Sequence, residues 1–394
     1  MAIWVMLVRY GEVAIKGRTT RGFMERKLVD NLSDALNKNA IPYRKAVRVP
    51  GRIIIGSFSS EEEALNASEH VARVMGVVSV SPSVIARFTS VKDIVEKSLD
   101  FFRDRVKGNS FAVCVNRVGV HEFTSIDLEK AVGQGIKEST GLKVDLEKPD
   151  YTAYIEVRGK YIYLYDKVVS GPGGLPIGSE GVALSLFSGG IDSPVATWYA
   201  MRRGCRTDMV LFNLGGEEQV RSVLKVAEVL VKKWAYGYEP RLHVVDLRTL
   251  VPRILLSSPE SYVVIIVRRL MMKLASMLAE KIGAKALVTG ENLGQVASQT
   301  LDNLYVISNA SRLPVLRPLI GFDKDEIVKL AKRIGTYDYS IKVKEYCPVG
   351  TRRATTKATL SKVIEIEGEV GISEEDLSNV IESAATYNLW KISS

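Results

Sequence analysis

Cysteine and histidine are scarce, with three of each in 394 residues. Cys114, Cys205 and Cys347 have no CxxC or zinc-type spacing, so neither a disulfide framework nor a metal cage is indicated and no metal site is expected. His70, His121 and His243 are scattered and support neither a triad nor a metal centre. Apolar runs are short: "SYVVIIV" over 261–267 stops at Arg268 and Arg269, far below the length of a bilayer span. A basic-plus-apolar leader is also missing, so no membrane association and a cytoplasmic location are expected. Acidic residues are thin at the front, where residues 1–60 hold eleven Lys or Arg against four Asp or Glu. The whole chain carries a net charge of +9. A basic front of this kind suits a polyanion, since each phosphate contact releases condensed counterions; the alternative is a solvated basic surface.

What is present is a soluble-type composition long enough for two or three compact units. Residues 3–10 read as a strand broken at Gly11, and a helix over about 20–39 places Phe23, Leu28, Leu32, Ala35 and Leu36 on one face. Two strands joined at Pro50-Gly51 follow, then a helix capped by Ser59 or Ser60 that ends before Gly76. A first small antiparallel unit is therefore expected over 1–76. A second, over 77–170, has helices at 91–106 and 125–140, a strand "SFAVCVNRV", and paired strands "YTAYIEVRG" and "YIYLYDKVV". Cys114, in the first of these strands, reads as core. "SGPGGLPIGSEG" over 170–181 is a linker. From residue 182 the runs "VALSLF", "DMVLFNL", "RLHVVDL" and "AKALVTG" alternate with helical segments, as in a parallel sheet covered on both faces. The fold class is α+β and α/β in a multidomain chain, with the last unit, 171–394, a doubly wound parallel sheet.

"LFSGGIDSPVATWYAMRRG" runs from a buried strand through Ser188-Gly189-Gly190 into a helix starting around Ser193, with Pro194 in its first turn. Glycines there let backbone N–H groups close on a phosphate, and the helix start adds partial positive charge. The stretch is neither GxxxxGK[ST] nor GxGxxG. The register SGGxDS after an apolar strand resembles the PP-loop ATP pyrophosphatases, whose members adenylate a substrate and release pyrophosphate. Over a longer span the chain resembles the tRNA 4-thiouridine synthetase family, also named for thiamine biosynthesis. The matching stretches are "RYGEVAIKG", "HEFTSIDLEKAVG", "LFSGGIDSPVA", "LFNLGG", "TGENLGQVASQTL", "VLRPLIGFDKDEI" and "EYCPVGTRRATTKA".

That resemblance implies a ferredoxin-like domain over 1–76, an RNA-binding THUMP domain over 77–170 and an adenylating PP-loop domain over 171–394. It implies ATP and Mg²⁺ as cofactors and tRNA as partner. Ser188, Gly189, Gly190 and Ser193 would hold pyrophosphate, and Asp192 would bind Mg²⁺ or order the loop. The nucleotide would also touch Leu186, Phe187, Leu211, Phe212, Arg268, Gly290 and Gln299, with Gln295 and Ser298 as further candidates. Lys324 matches a lysine that the family places near the reacting phosphate, where a cation offsets developing charge. Sulfur needs a thiol, and Cys347, in a Pro- and Gly-containing stretch near Lys344, Arg352 and Arg353, is the candidate carrier. Cys205 reads as packing rather than as its redox partner. Lys16, Arg18, Arg21, Arg48, Arg52 and Arg117 are candidate RNA-phosphate contacts. The resemblance further implies a homodimer and uridine 8 as the modified position.

Two departures bear on the sulfur donor. The chain is expected to lack the rhodanese domain of many bacterial members and has no CxxC pair of the kind some archaeal members use for an iron–sulfur cluster. A persulfide carrier such as a cysteine desulfurase, or sulfide itself, stays open. Alternative readings are an adenylating enzyme serving a carrier protein in thiazole assembly for thiamine, and an RNA-binding protein without turnover.

Overall fold

The computed structural model describes residues 3–344 and 354–392. The chain forms two compact units, Met1–Gly173 and Gly174–Ser394.

The first unit contains, in order, β1 (Ile3–Tyr10), α1 (Arg18–Lys38), β2 (Lys45–Val49), β3 (Arg52–Phe58), α2 (Glu61–Val71), β4 (Val77–Arg87), α3 (Val91–Phe102), β5 (Ser110–Val118), α4 (Ser125–Thr140), β6 (Lys143–Val144), β7 (Tyr151–Arg158), β8 (Tyr161–Tyr165) and β9 (Val169–Ser170). Local chemistry sets the helix ends. Ser60 Oγ accepts the Glu63 amide at 3.2 Å to start α2. Thr124 and Asp127 form a reciprocal capping box at α4, which Gly141 closes in the left-handed region at φ +72°. Helix α1 turns Met24, Leu28, Leu32, Ala35 and Leu36 inward. Phe23, expected on that face, is exposed, because Met24 occupies the inward position one residue later.

The strands make one sheet in the order β2-β3-β1-β4-β8-β7-β5-β6, with β9 also on β4. Strand β4 pairs antiparallel with β1 on one side and with β8 on the other. The sheet is thus continuous across the expected division at residue 76. Helices α3 and α4 bury Ile94, Phe102, Leu128, Val132 and Ile136 against Val113, Val115, Ile155, Ile162 and Leu164. Strand parity turns Tyr163 and Tyr165 to the opposite face, beside Val5 and Leu7. The same parity corrects the expectation for Cys114: between inward Val113 and Val115 it points away from that core and is exposed.

The second unit contains β10 (Val182–Leu186), α5 (Asp192–Arg202), β11 (Arg206–Asn213), α6 (Gly216–Trp234), β12 (Arg241–Asp246), α7 (Val251–Ser257), α8 (Val263–Ile282), β13 (Leu287–Val288), α9 (Leu301–Ser308), β14 (Val315–Leu316), α10 (Lys324–Ile334), α11 (Tyr337–Ser340), α12 (Leu360–Val370), α13 (Glu374–Glu382) and β15 (Ala385–Asn388). Its sheet runs β14-β13-β10-β11-β12-β15. Every pairing is parallel except that of β15, an antiparallel edge strand on β12. Successive strands step one way from β10 to β12 and then restart on its other side with β13. The order therefore reverses at β10, and the loops leaving the carboxyl ends of β10 and β13 lie side by side, where ligands of open α/β sheets gather.

Candidate active site

Strand β10 ends at Leu186, and Ser188-Gly189-Gly190 turns the chain into α5, which begins at Asp192, one residue before the expected start. Gly189 has φ +79°, and a Cβ there would stand 2.9 Å from Val223 Cγ2 of α6, so only glycine fits this bend. The Gly189 amide donates to Ser193 Oγ at 3.2 Å, and the Gly190 amide to Ser188 Oγ at 3.4 Å. The two hydroxyls are 3.3 Å apart. The result is a compact turn of amides and hydroxyls at the positive end of an 11-residue helix, a donor set suited to phosphate oxygens. Inside, Ser185 Oγ meets Thr197 Oγ1 at 2.7 Å, and Thr197 Oγ1 donates to the Ser193 carbonyl, tying the first turn of α5 to its strand.

The loop after β13 closes on this turn. A Cβ on Gly290 would sit 3.0 Å from both the Asp192 carbonyl carbon and the Ser193 nitrogen, so the bare glycine lets two backbones touch. Gln295 Nε2 reaches Asp192 Oδ2 at 3.2 Å, and Lys324 Nζ, from the first residue of α10, reaches Asp192 Oδ1 at 2.6 Å. Helix α10 is set by the Asp323/Glu326 capping box. Gln299 and Ser298 are buried; the Gln299 side chain accepts the Asn292 amide at 3.4 Å, and its carbonyl accepts the Gly294 amide at 2.9 Å.

Ser188, Gly189, Gly190, Asp192, Ser193, Gly290, Gln295 and Lys324 thus come together. Other candidates sit differently. Phe187, Leu211 and Phe212 are buried in the sheet, and Leu186 is half-buried against the core cluster. Their side chains pack, while the strand ends that carry them border the loop. Arg268 of α8 is held by Glu291, Nη1 to Oε1 at 3.2 Å. Glu291, together with Arg317, whose Nε lies 2.8 Å from Glu291 Oε2, was missed by sequence reading. Both lie in the quoted stretches "TGENLGQVASQTL" and "VLRPLIGFDKDEI", and nothing in their spacing distinguishes them from surface charges.

Cys347 lies outside the described residues, as do Arg352 and Arg353. Lys344 pairs with Glu218 at 2.7 Å. Burial, reinforced by Glu180, pushes the Cys205 thiol above its ordinary range, which disfavours a thiolate there. Among the described residues no group of three or more His, Cys, Asp or Glu could hold a metal ion. No helix among them is long and apolar enough to cross a membrane.

In the first unit, Arg18 is exposed at the start of α1. Lys16 pairs with Glu12 at 3.3 Å, Arg21 with Glu25 at 3.8 Å, and Arg48 with Glu25 at 3.9 Å. Arg52 is drawn into the sheet face, 3.2 Å from the fully buried Glu156, and Arg117 Nη1 donates to the Gly119 carbonyl at 3.3 Å.

Three family models match in series: the ThiI ferredoxin-like domain over 5–81, the THUMP domain over 88–166, and the thiamine biosynthesis protein (ThiI) over 178–372. A probable tRNA sulfurtransferase of Aeropyrum pernix is 45% identical over 88% of this chain and 87% of its own. The chain belongs to the tRNA sulfurtransferase family. A tRNA sulfurtransferase of Pyrobaculum aerophilum is 41% identical over 92% of this chain and 73% of its own. Among solved structures, a 4-thiouridine synthetase in complex with RNA and with bound ATP has a TM-score of 0.83 and 30% identity, covering 98% of this chain and 99% of that one. Membership of this family accounts for a phosphate-type loop and a THUMP domain in one chain.

Proposed function

We propose that this chain is an ATP-dependent tRNA sulfurtransferase that adenylates uracil O4 of a tRNA uridine and replaces that oxygen with sulfur. The observation that carries the reading is the convergence of Asp192, Gln295 and Lys324, from three separate segments, on the start of α5 beside the Ser188–Ser193 turn. It is supported by relatives named tRNA sulfurtransferases and by the similar synthetase that holds RNA and ATP.

Oxygen is a poor leaving group from C4 of uracil, and AMP makes it a good one. O4 attacks the α-phosphorus of ATP and pyrophosphate departs. The turn amides and the hydroxyls of Ser188 and Ser193 hold the departing phosphates, and Lys324 offsets charge at the reacting phosphorus. Mg²⁺, when bound, would neutralise phosphate charge, and the Asp192 carboxylate fits it as an oxygen donor at the turn. With Lys324 and Gln295 on its two oxygens, Asp192 also orders the loops. A sulfur nucleophile then attacks C4 and AMP leaves with O4. In this reading Cys347 carries that sulfur as a persulfide received from a cysteine desulfurase. Once its outer sulfur is bonded to C4, an external thiol attacks Cys347 Sγ and breaks the S–S bond, so that the sulfur stays on C4 and Cys347 is left in a mixed disulfide that a further thiol reduces. Sulfide, where it is the source, attacks C4 directly and needs no persulfide. Arg18, Arg21 and Arg48 near the start of α1, together with the THUMP region, hold the RNA. The uridine at position 8, a cytoplasmic location and a homodimer belong to the same reading.

The test is pyrophosphate release with and without tRNA. Release that requires tRNA agrees with the proposal. Release without RNA would transfer the activity to a small molecule or carrier protein, and RNA binding with no release would leave only a binding protein. With a cysteine desulfurase as the donor, Cys347→Ser is expected to abolish thiolated tRNA while leaving tRNA-dependent pyrophosphate release near the wild-type rate; thiolation at the normal rate from that donor would move the sulfur to another residue.

A further inference from the structure

Glu291 is the most heavily used charged side chain near the site, yet it faces two guanidiniums rather than the phosphate turn. Its residue is 6% exposed. Oε1 accepts from Arg268 Nη1 at 3.2 Å, and Oε2 accepts from Arg317 Nε at 2.8 Å and from Thr289 Oγ1 at 3.0 Å. Arg317 is fixed in turn, its Nη2 donating to Ser308 Oγ at 2.7 Å. The network joins α8, the loop after β13, the residue after β14, and α9. Glu291 follows Gly290, whose backbone touches the start of α5.

We infer that Glu291 is a positioning residue for nucleotide: it clamps Arg268 in the orientation that meets ATP, and Arg317 clamps Glu291. This rests on the reading of Arg268 as a nucleotide contact. The physical reasons are three. An arginine side chain loses much rotamer freedom when it binds an anion, and a partner that fixes it beforehand removes that cost. Two guanidiniums this close repel each other, and the Glu291 carboxylate between them offsets that repulsion, so both can stay. The cluster of Arg268, Glu291 and Arg317 keeps a net charge of +1, which favours an anionic ligand.

The test is ATP affinity, measured by calorimetric titration, in the wild-type chain, Arg268→Ala, Glu291→Gln and the double variant, with a thermal melt of each. Both single variants are expected to bind ATP about 10-fold more weakly, and the double variant no more weakly than Arg268→Ala, because Glu291 acts only through Arg268. An unchanged affinity for Glu291→Gln, or a full additional loss in the Arg268→Ala background, overturns the inference. Wild-type affinity in Arg268→Ala overturns the underlying contact instead. Should Glu291→Gln fail to fold, Arg317→Lys, which keeps the charge but loses the fork, is expected to weaken ATP only when Arg268 is present; equal loss in both backgrounds again overturns it.

Discussion

Lys324 Nζ and Asp192 Oδ1 stand 2.6 Å apart, half-exposed, at the mouth of the phosphate-type turn. An ion pair so open to water contributes little to stability, about 0–1 kcal/mol. Under the proposed reaction its worth lies in placing a cation where charge builds up during transfer of AMP. Lys324→Ala is therefore expected to lower the rate of pyrophosphate release about 10²–10³-fold while shifting the melting temperature little; an unchanged rate in a stopped-flow pyrophosphate assay would remove the lysine from the chemistry. At this scale the sequence was uneven. Ser188, Gly189, Gly190, Asp192 and Ser193 form one contiguous motif, and the structure keeps them together at the start of α5. Lys324 was legible only through family resemblance, since alone it is a lysine at a helix start. Glu291 and Arg317 were not legible, because a buried ion network has no periodicity and its partners are far apart in the chain.

Helix α8 spans 20 residues and carries Arg268 and Arg269 at adjacent positions. About 100° of helical rotation sends them to different neighbours: Arg268 to Glu291, Nη1 to Oε1 at 3.2 Å, and the buried Arg269 to Glu367 of α12, Nε to Oε1 at 2.9 Å. Lys273 adds a second donor to Glu367 Oε2 at 2.9 Å. Burial pulls the Glu367 carboxyl up, but hydrogen bonds from Arg269 and Lys273 outweigh it and hold the group below its usual value of 4.5. A depressed folded-state value means that the stabilisation is complete above pH about 4.5 and is lost as pH falls through the lower folded value. The melting-temperature gap between the wild-type chain and Glu367→Gln is thus expected to be widest near neutral pH and to shrink as pH falls below 4.5 through the lower folded value; a gap that stayed constant with pH would assign the effect to packing. Helices were among the legible elements, since Ser60 marks the start of α2 by known capping chemistry and apolar spacing marks α1 and α4. Strand β13 was read in the run "AKALVTG", but the two-residue strand β14 and the edge strand β15 were not legible, because their pairing partners, not their own residues, make them strands.

The first unit is knitted by a charge cluster that no local pattern reveals. Glu156 of β7 is fully buried and meets Arg158 Nε at 2.5 Å, Arg52 of β3 at 3.2 Å and Arg9 of β1 at 3.7 Å. Arg9 also lies over the Tyr165 ring at 4.9 Å, and Tyr165 stacks on Tyr154 at 5.1 Å. Strands of the ferredoxin-like region and of the THUMP region thereby share one polar centre. Removing the carboxylate strands three guanidiniums together, so Glu156→Ala is expected to destabilise the unit by about 3–5 kcal/mol, read from urea unfolding; a loss under about 1 kcal/mol would show that solvent screens the cluster. The same long-range pairing explains why the sheet's continuity through β4 escaped sequence reading, whereas the alternation of strands and helices after residue 182 announced the parallel sheet of the second unit.

The claim on which the account turns is that the chain exchanges an oxygen of a tRNA base for sulfur after activating it with ATP. Mass spectrometry of nucleosides from tRNA incubated with the protein, ATP and sulfide tests this directly. The account predicts a uridine whose mass rises by the exchange of one oxygen for one sulfur, present with ATP and absent both without ATP and with Asp192→Ala. Unmodified uridine under the complete conditions, or thiolation that proceeds without ATP, would contradict it.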